Sequence, residues 1–474
     1  MRVLLMLVMF SATLSAQDQN YWNQQYGTRS RLLGGAVVGG CDDTSAGFYN
    51  PARLAWIDNP SLSVSGTLYQ MDRFFIEDGA GRDRDLAATN WRVVPSLVSG
   101  IHLLDFAPGH AFAHTIMARN YSSNNVSARR QANINVIDES RSPGNEDYTA
   151  QLNADLSLQE YWAGLSWAWK ITDWLSVGAT SFGALRIEKS SVRTRARAVW
   201  FNGTVFEAAS VISDQFFSYT DLRALAKGGI AIEFGGFKAG LTITTEAVHL
   251  WGQGTASRDV EINNVDTNLN GVGDTVVFND RQENRRTEIR SPWSFAMGLE
   301  YRVEGTGTRL CVSTEYFLPV GNYVAMRADN RGFFQGLGGL AGGSKDFLQV
   351  RDSRNGVMNV AFGVSQEFGE WLIGHWTGYW GFNTDFSADV NKRAGGLSLG
   401  GTDFDLYHGA TGVSVRTDKS EFAIGVHVSV GSNRVAQNIN FDDPTEPGLL
   451  FGASKSTRGV YWSVGLAAGY TYFF

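Results

Sequence analysis

The chain has 474 residues, of which 43% are hydrophobic and 12% aromatic, and it carries a net charge of −7. The length would accommodate two or three soluble domains, yet no Pro/Gly/Ser-rich linker or compositional shift divides the chain after residue 60. Because this charge balance provides no basic surface, nucleic acid is excluded as a partner.

The first sixteen residues have the pattern of a secretory signal peptide. Arg2 supplies a positive charge, residues 3–10 form a short apolar core, and small residues lead to a cleavage position after Ala16. This core is too short to span a membrane as a helix, and no other stretch of the sequence is apolar enough to do so. The mature chain is therefore expected to be exported, and to enter a membrane only as a barrel.

Residues 17–59 do not alternate as a strand would, and they are predicted to form a plug within a barrel. Gly34 and Gly35 permit close backbone packing, and Asn50-Pro51, followed by Ala52, predicts a rigid turn. The adjacent carboxylates Asp42 and Asp43 are expected to pair with basic residues that line the barrel, for which the candidates are Arg186, Lys227 and Lys238. Such a plug could be a displaceable gate or a permanently packed element.

From residue 60 to the C-terminus the sequence reads as fourteen apolar-alternating segments of roughly 9–15 residues each. Short and long joints alternate between them. The tight joints are expected at 105–110, 170–173, 234–237, 303–308, 367–370 and 417–420, and the long polar joints near 76–90, 122–153, 189–217, 252–288, 322–354, 386–402 and 434–457. Short turns at one end and long loops at the other are typical of a transmembrane antiparallel β-barrel.

The C-terminal segments alternate most clearly. Between Glu421 and Val430 every second residue is apolar and the intervening ones are small or polar, and the chain ends on the aromatic series Tyr470, Tyr472 and Phe474. A soluble β-sandwich would show the same period, but it would not explain the alternation of short and long joints. Four tryptophans near the second tight joint are expected to join an aromatic girdle at the membrane interface: Trp162, Trp167, Trp169 and Trp174.

The sequence D-x-N-x-N-G-x-G-D in one long joint resembles the first half of a calcium loop. Asp266, Asn268, Asn270 and Asp274 place oxygen atoms at alternate positions around a glycine turn. The glutamate expected at the twelfth position of such a loop is absent, since Val277 stands there. An Asn/Gly-rich turn without metal is the alternative. A calcium ion here would be structural, and no cofactor is required elsewhere.

The two cysteines, Cys41 and Cys311, lie in the plug and in a strand whose Cys311 side chain is expected to face the lumen. A disulfide between them would suit an oxidising compartment, although two separate buried thiols are favoured. The sequence has no H-E-x-x-H or P-loop pattern, so an enzymatic function is not predicted.

Between residues 33 and 54 the glycine-rich stretch, the Asp-Asp/Ser-Ala step and Phe-Tyr-Asn-Pro-Ala-x-Leu resemble the N-terminal hatch of the FadL-type long-chain fatty acid and hydrocarbon transporters. The number of strands and the terminal aromatic strand are similar to that superfamily as well. Two features depart from it. Arg53 stands where the family usually has a small residue, and no hydrophobic helical hairpin is visible in the loops.

The resemblance implies a multi-pass barrel in the outer membrane of a Gram-negative bacterium, surrounded by lipid and inserted by the barrel assembly machinery. It has a signal peptide at 1–16, a hatch at 17–59 and a barrel at 60–474. Its implied function is passive, hatch-gated transport of a hydrophobic small molecule such as a long-chain fatty acid. The same hatch motif resembles PorV-type barrels, which implies the alternative of an interaction protein that serves secretion or surface attachment.

Overall fold

The computed structural model describes residues 19–330, 334–336, 344–371, 373–390, 397–398, 404–437 and 439–474. The predicted signal peptide at 1–16 lies outside the described residues. Among those residues, no helix has both the length and the apolar character needed to cross a membrane.

Nearly all regular structure is β-strand. The strands are β1 Ser61–Ile76, β2 Leu86–Leu103, β3 His110–Ile134, β4 Glu146–Lys170, β5 Leu175–Phe201, β6 Phe206–Phe234, β7 Phe237–Thr244, β8 Val248–Val265, β9 Asp274–Arg286, β10 Ser294–Val303, β11 Thr308–Phe317, β12 Val320–Met326, β13 Phe334–Gly336, β14 Val350–Arg354, β15 Val357–Trp371, β16 Gly374–Asp385, β17 Leu397–Ser398, β18 Leu406–Arg416, β19 Ser420–Ala436 and β20 Ser456–Phe473. The helices are α1 Ala46–Tyr49, a 3₁₀ helix Pro51–Trp56 and α2 Ser344–Leu348.

Fourteen of these strands close into an antiparallel barrel. Following the ladders, the ring runs β1–β2–β3–β4–β5–β6–β7–β10–β11–β15–β16–β18–β19–β20 and returns to β1. Closure pairs Ser61 with Phe473 and continues to Ile76 opposite Gly459. Because every strand has two neighbours, the sheet closes without a terminal edge strand. The predicted all-β barrel of about fourteen strands is confirmed.

Six short connections lie at one end of the ring, here called the turn end. The other end, here called the loop end, has the longer connections and one short one, residues 202–205 between β5 and β6. At the turn end the chain reverses within residues 104–109, 171–174, 235–236, 304–307 and 417–419, and between the end of β15 and the start of β16. Five of these agree with the predicted tight joints. The prediction at 367–370 was wrong, because Glu367 and Glu370 remain in β15, where Gly369 takes a positive φ of 86° beside a bulge.

The strands near the turn end have apolar side chains outside and small or polar ones inside. In β19, Phe422, Ile424 and Val426 are exposed while Ala423 is buried. Trp167, Trp169 and Trp174 are also exposed, as an aromatic girdle requires. Trp162 was predicted wrongly, because it has the opposite parity in β4 and is 8% exposed, inside the ring.

The predicted strand and loop lengths were wrong for β3 to β6, which extend over 25 to 29 residues. The joint predicted at 189–217 consists largely of strand, and only residues 202–205 separate β5 from β6. In this outer part the pattern inverts: Arg193, Arg195 and Arg197 are exposed, whereas Ala196 and Ala198 are buried. Polar side chains outside and apolar ones inside indicate that these strands continue beyond the lipid into water.

Two positions in the wall depart from continuous pairing. Strands β7 and β8 both pair with β6, β7 along residues 227–234 and β8 along residues 210–224. Residues 245–247 separate β7 from β8. Between β2 and β3 the ladder covers only Leu97–Leu103 opposite Met117–Ala111, although β3 continues to Ile134. The β2 residues Leu86–Val94 pair with β1 alone. The wall therefore has a gap between β2 and β3 towards the loop end.

Candidate functional site

The N-terminal segment, residues 19–57, is mostly buried and contacts all fourteen strands of the ring. From β1 to β20 in ring order, the contacted residues are Thr67, Ser99, Ala118, Ser166, Thr180, Ile230, Lys238, Gly298, Ser313, Gly363, Gly381, Gly412, Glu421 and Thr471. A segment that touches every strand of a closed ring lies inside it. We refer to residues 19–57 as the plug segment and to the space within the ring as the bore.

Asp43 organises one turn of the plug segment. Its carboxylate accepts hydrogen bonds from the backbone N–H groups of Arg29 at 2.9 Å, Ser30 at 3.0 Å and Ser45 at 2.9 Å. Three such bonds satisfy a buried carboxylate without a cationic partner. The predicted pairing of Asp43 with a basic residue is therefore wrong, and its role is to fold the plug segment.

Asn50 and Pro51 join the short helix α1 to the 3₁₀ helix. The Asn50 side-chain oxygen accepts from the Ala52 N–H at 3.1 Å, and its amide donates to the carbonyl oxygens of Val38 at 2.9 Å and Ile230 at 3.1 Å. Proline suits the first helical position because that residue needs no N–H partner. Ala52 is fully buried. The predicted rigid turn is present, and it ties the plug segment to β6.

Glycines allow the plug segment and the wall to approach closely. Gly34 and Gly35 have positive φ angles of 64° and 77°, which favour glycine. A Cβ atom on Gly34 would lie 2.9 Å from the backbone nitrogen of Phe382. On the wall, a Cβ atom on Gly178 would lie 2.5 Å from the carbonyl carbon of Pro51. The backbone of the plug segment therefore packs directly on the backbone of the strands.

Asp42 joins the plug segment to the wall near the turn end. Its carboxylate lies 2.9 Å from Arg53, 3.0 Å from Lys238 and 2.9 Å from Arg309. Arg53, only 1% exposed at its side chain, also pairs with Glu233 at 2.9 Å. Burial alone would raise the pKa of Asp42, but the three cations outweigh it and hold that pKa well below its ordinary value.

Of the three cations predicted for Asp42, the structure places only Lys238 there. Arg186 pairs with Glu160 at 3.4 Å and Glu188 at 2.7 Å, and Lys227 lies over the ring of Phe48. Arg53 and Arg309 were not predicted as partners. Arg53 occupies the position at which the sequence departs from the FadL-type pattern. This unusual residue was the feature of the sequence that could have predicted the contact with Asp42.

Both cysteines are free and buried. The Cys41 sulfur lies 3.3 Å from the Ser30 hydroxyl oxygen, and the Cys311 sulfur lies 3.8 Å from a Glu300 carboxylate oxygen. Cys311 faces the bore, as predicted, while its neighbour Leu310 faces outwards. The structure thus contains the two separate thiols that were favoured and lacks the disulfide that was the alternative.

A cavity of about 80 Å³ lies between the plug segment and the inner wall. Its aromatic lining comprises Tyr21, Phe48, Trp162 and Phe317. Lys227 Nζ lies 4.8 Å from the centre of the Phe48 ring, and the Arg119 guanidinium carbon lies 5.6 Å from the Phe48 and Trp162 rings. In the described part of the chain, neither cation has an ion-pair partner. Glu160 and Glu315 also line the cavity, which thus combines aromatic surface with charged side chains of both signs.

The gap between β2 and β3 holds a second cavity, of about 220 Å³. Asn90 donates to Asn124 across the gap at 2.8 Å, and Arg92 donates to the Tyr121 carbonyl oxygen. Arg92 also forms an ion pair with Asp72 at 2.7 Å. Side chains, rather than a backbone ladder, therefore bridge the wall at this position.

The predicted calcium loop forms a compact turn at the loop end. The Asp266 carboxylate accepts hydrogen bonds from the backbone N–H groups of Asn268 at 3.2 Å, Asn270 at 3.1 Å and Gly271 at 2.6 Å. Asp274 accepts from Thr267 N–H at 3.2 Å. In the described residues no group of three acidic, histidine or cysteine side chains could hold a metal ion. The turn is satisfied by its own backbone, and calcium binding stays a prediction.

The chain resembles other solved structures over nearly its whole length. It matches a FadL homologue of Pseudomonas aeruginosa with a TM-score of 0.55 and 12% identity, covering 96% of this chain and 99% of that chain. It matches the toluene transporter TodX of Pseudomonas putida with a TM-score of 0.54 and 12% identity, covering 95% of this chain and 98% of that chain. It matches the toluene transporter TbuX of Ralstonia pickettii with a TM-score of 0.51 and 13% identity, covering 95% of this chain and 99% of that chain.

No protein-family model and no curated protein matches the chain. The structural likeness confirms that the chain has the FadL-type barrel fold. At 12–13% identity this likeness shows the fold alone. The substrate and the gating mechanism must therefore be inferred from the residues described above.

Proposed function

We propose that this protein is an outer-membrane channel for a hydrophobic small molecule with an acidic end, such as a long-chain fatty acid. The fold is that of channels for hydrophobic molecules, among them toluene transporters. The observation that carries the proposal is the cavity between the plug segment and the inner wall, where Phe48 and Trp162 lie beside Arg119 and Lys227. Aromatic rings suit an apolar body, and two cations that form no direct ion pair among the described residues suit a carboxylate.

Transport would be passive, because the proposal involves neither a nucleotide nor a redox cofactor. Phe48 belongs to the plug segment and touches both cations through its ring. A carboxylate that binds Arg119 and Lys227 would compete with these cation–π contacts, each worth about 0.5–2 kcal/mol. Ligand binding would therefore favour states in which the plug segment has moved. The plug segment is thus proposed as a hatch that the substrate itself opens.

The proposal is tested by uptake into proteoliposomes. Vesicles that contain the protein should accumulate oleate faster than protein-free vesicles, and a neutral hydrocarbon of the same length should be taken up more slowly. Lys227→Met should weaken oleate binding about tenfold, which corresponds to 1.4 kcal/mol. Lys189→Met, on the exposed face of β5, is the matched control. Equal uptake of all lipids with and without protein would contradict the proposal.

A docking role in secretion or surface attachment remains the second candidate. It is supported by the loop end, where Phe441 and Leu450 are fully buried, which suits a packed rather than an open mouth. If the protein acts by docking, pull-down from native outer membranes should recover a stoichiometric partner, and the proteoliposomes should show no uptake. A channel should show uptake without such a partner.

A further inference from the structure

The outside of the barrel carries a group of arginines where β3, β4 and β5 continue beyond the lipid. Outward-facing side chains form three rows across these strands, because the ladders pair each β4 residue with one residue of β3 and one of β5. The rows are Ser127, Asn153 and Arg193, then Arg129, Gln151 and Arg195, then Gln131, Thr149 and Arg197. Four of the nine side chains are arginines and none is acidic. We call these nine side chains the basic face.

The four arginines are exposed, and most of their pairing capacity is unused. Arg195 pairs with Asp214 of β6 at 3.1 Å, yet its side chain remains 58% exposed. The other three are exposed and form no ion pair with any residue that the structure describes: Arg129, Arg193 and Arg197. A guanidinium group offers a planar set of donors that matches a carboxylate or a phosphate. The basic face can therefore accept anionic groups from outside the chain.

Carboxylates border the basic face but do not enter it. On β4, Asp147 lies one row above the face and Asp155 one row below. The sign of the charge then reverses on the next strands, where Asp214 of β6 and Asp259 and Glu261 of β8 point outwards. Positive charge is thus concentrated on one side of the barrel and at one height, which solubility alone does not require.

The height of the basic face above the lipid follows from β5. Between Leu175 and Ile187 its outward side chains include no charged residue, and at a rise of about 3.3 Å and a tilt of about 40° this stretch covers roughly 30 Å. That length matches the hydrocarbon thickness of a bilayer. Lys189 then lies about 5 Å beyond the hydrocarbon, and the three rows of the basic face lie about 15, 20 and 25 Å beyond it.

This height excludes ordinary phospholipids as the partner of the basic face. Phospholipid head groups add only about 5–8 Å on each side of the hydrocarbon, so their phosphates reach Lys189 but none of the three rows. A lipid whose head extends much further, and carries anionic groups along it, would reach all three. The lipid-facing wall below Ile187 is continuous with the basic face on the same strand, so one such molecule could contact both.

We propose that the basic face binds a glycolipid of the outer leaflet whose head is a phosphorylated oligosaccharide. The acyl chains lie against the apolar wall, and the phosphate groups pair with the arginines. The five uncharged side chains of the face provide hydrogen-bond donors and acceptors for sugar hydroxyls. This inference goes beyond the proposed function, because it concerns the outer surface of the barrel and does not involve the bore.

Native mass spectrometry of the detergent-solubilised protein tests the proposal. The probe is a rough-type lipopolysaccharide with a phosphorylated core, and the comparisons are its dephosphorylated form, its deacylated oligosaccharide and phosphatidylglycerol. R193Q/R197Q removes two arginines of the basic face and keeps polar side chains there. R281Q/R286Q is the matched control, because it removes the same charge from exposed positions of β9 that already pair with Glu283 and Glu288.

R193Q/R197Q should weaken binding of the lipopolysaccharide at least tenfold, and R281Q/R286Q should leave it unchanged. The dephosphorylated and deacylated forms should each bind the unmodified protein at least tenfold more weakly than the intact glycolipid. Binding of phosphatidylglycerol should not differ between the proteins, and circular dichroism should give the same melting temperature for both variants.

Equal affinity of the three proteins for the lipopolysaccharide would overturn the proposal. Equally tight binding of the deacylated oligosaccharide would also overturn it, because the partner would then be a soluble anion and not a lipid. Uptake of oleate should be the same in R193Q/R197Q and the unmodified protein. A lack of oleate uptake by the unmodified protein would refute the channel function alone and leave the binding result standing.

Discussion

At the scale of single residues, Asp42 concentrates the ionic contacts between the plug segment and the wall. Replacing Asp42 by Asn leaves the buried guanidinium of Arg53 with Glu233 alone. It also removes one carboxylate partner of Lys238, which keeps Glu300, and one of Arg309, which keeps Glu300 and Glu367. Breaking a largely buried ion pair typically costs about 3–5 kcal/mol, and partial exposure of Asp42 reduces this to roughly 2–3 kcal/mol. We expect faster hydrogen exchange throughout residues 42–56, with barrel strands unaffected.

Asp173→Asn is the control for this measurement, because Asp173 is fully exposed at a turn and its contact with Lys170 is 4.0 Å long. That variant should exchange like the unmodified protein. An Asp42→Asn variant with unchanged protection in residues 42–56 would show that glycine packing, rather than the ion pairs, holds the plug segment.

Asp42 also predicts how the plug segment responds to pH. Its pKa is lowered in the folded protein, because Lys238, Arg53 and Arg309 outweigh the effect of burial. A carboxyl with a lowered pKa contributes stability that is fully present above its unfolded pKa of about 3.9 and is lost as the pH falls towards the folded value. Hydrogen exchange of residues 42–56 should therefore be constant between pH 5 and 8, after correction for intrinsic rates, and should accelerate below pH 4. Asp42→Asn should abolish this acid-induced step.

At the scale of elements, the fit between the 3₁₀ helix and β5 depends on a missing side chain. A Cβ atom at Gly178 would meet the backbone of Pro51 and Ala52 at 2.5–2.7 Å, so Gly178→Ala should destabilise docking of the plug segment by about 1–3 kcal/mol. Limited proteolysis should then cleave the plug segment more rapidly. Gly183→Ala in the same strand is the control, since its Cβ would have no neighbour closer than 4.0 Å. Equal cleavage of both variants would contradict the packing described here.

The loop between β8 and β9 provides a second prediction at this scale. If calcium binds there, terbium should give sensitised luminescence that Asp274→Asn and Asp266→Asn both reduce at least tenfold, and excess calcium should displace it. Asp266 already accepts three backbone hydrogen bonds, so Asp266→Asn also tests the turn itself. Asp274→Asn is therefore the more specific variant. Luminescence that is unchanged in both variants would remove calcium from this loop.

Element boundaries were predicted well only where strands face lipid. In that zone apolar residues at every second position mark the outer face, as in β19 and β20. Beyond the lipid the outer face becomes polar and the inner face becomes apolar. Arg193, Arg195 and Arg197 of β5 therefore resemble a polar loop in the sequence, although they lie on the water-facing side of a continuous strand. Sequence period alone cannot distinguish these cases, because the membrane boundary that inverts the pattern is not encoded in any single residue.

At the scale of the whole molecule, two segments predict how the bore conducts ions. One is the plug segment, and the other is residues 439–453, called the cap, whose Phe441 and Leu450 side chains are fully buried at the loop end. Removal of residues 19–57 alone should leave the cap in place, so planar-bilayer conductance should rise little. Replacement of residues 439–453 by a Gly/Ser linker should likewise leave the plug segment in place, so the conductance should again rise little. Combining the deletion with the linker replacement should open an aqueous channel, because large barrels without filling elements enclose such a channel. A large conductance after removal of the plug segment alone would show that the cap does not seal the loop end.

The sequence by itself determined the closed antiparallel barrel, the bore-facing position of Cys311 and the compact turn at Asn50-Pro51. These follow from local periodicity, strand parity and the φ preference of proline, which neighbouring residues encode. Only the tertiary structure decided which cations surround Asp42, that Trp162 lines the bore, that the cap fills the loop end, and that the wall opens between β2 and β3. Each of these brings together residues tens to hundreds of positions apart, and ring closure determines such distances, whereas local pattern does not.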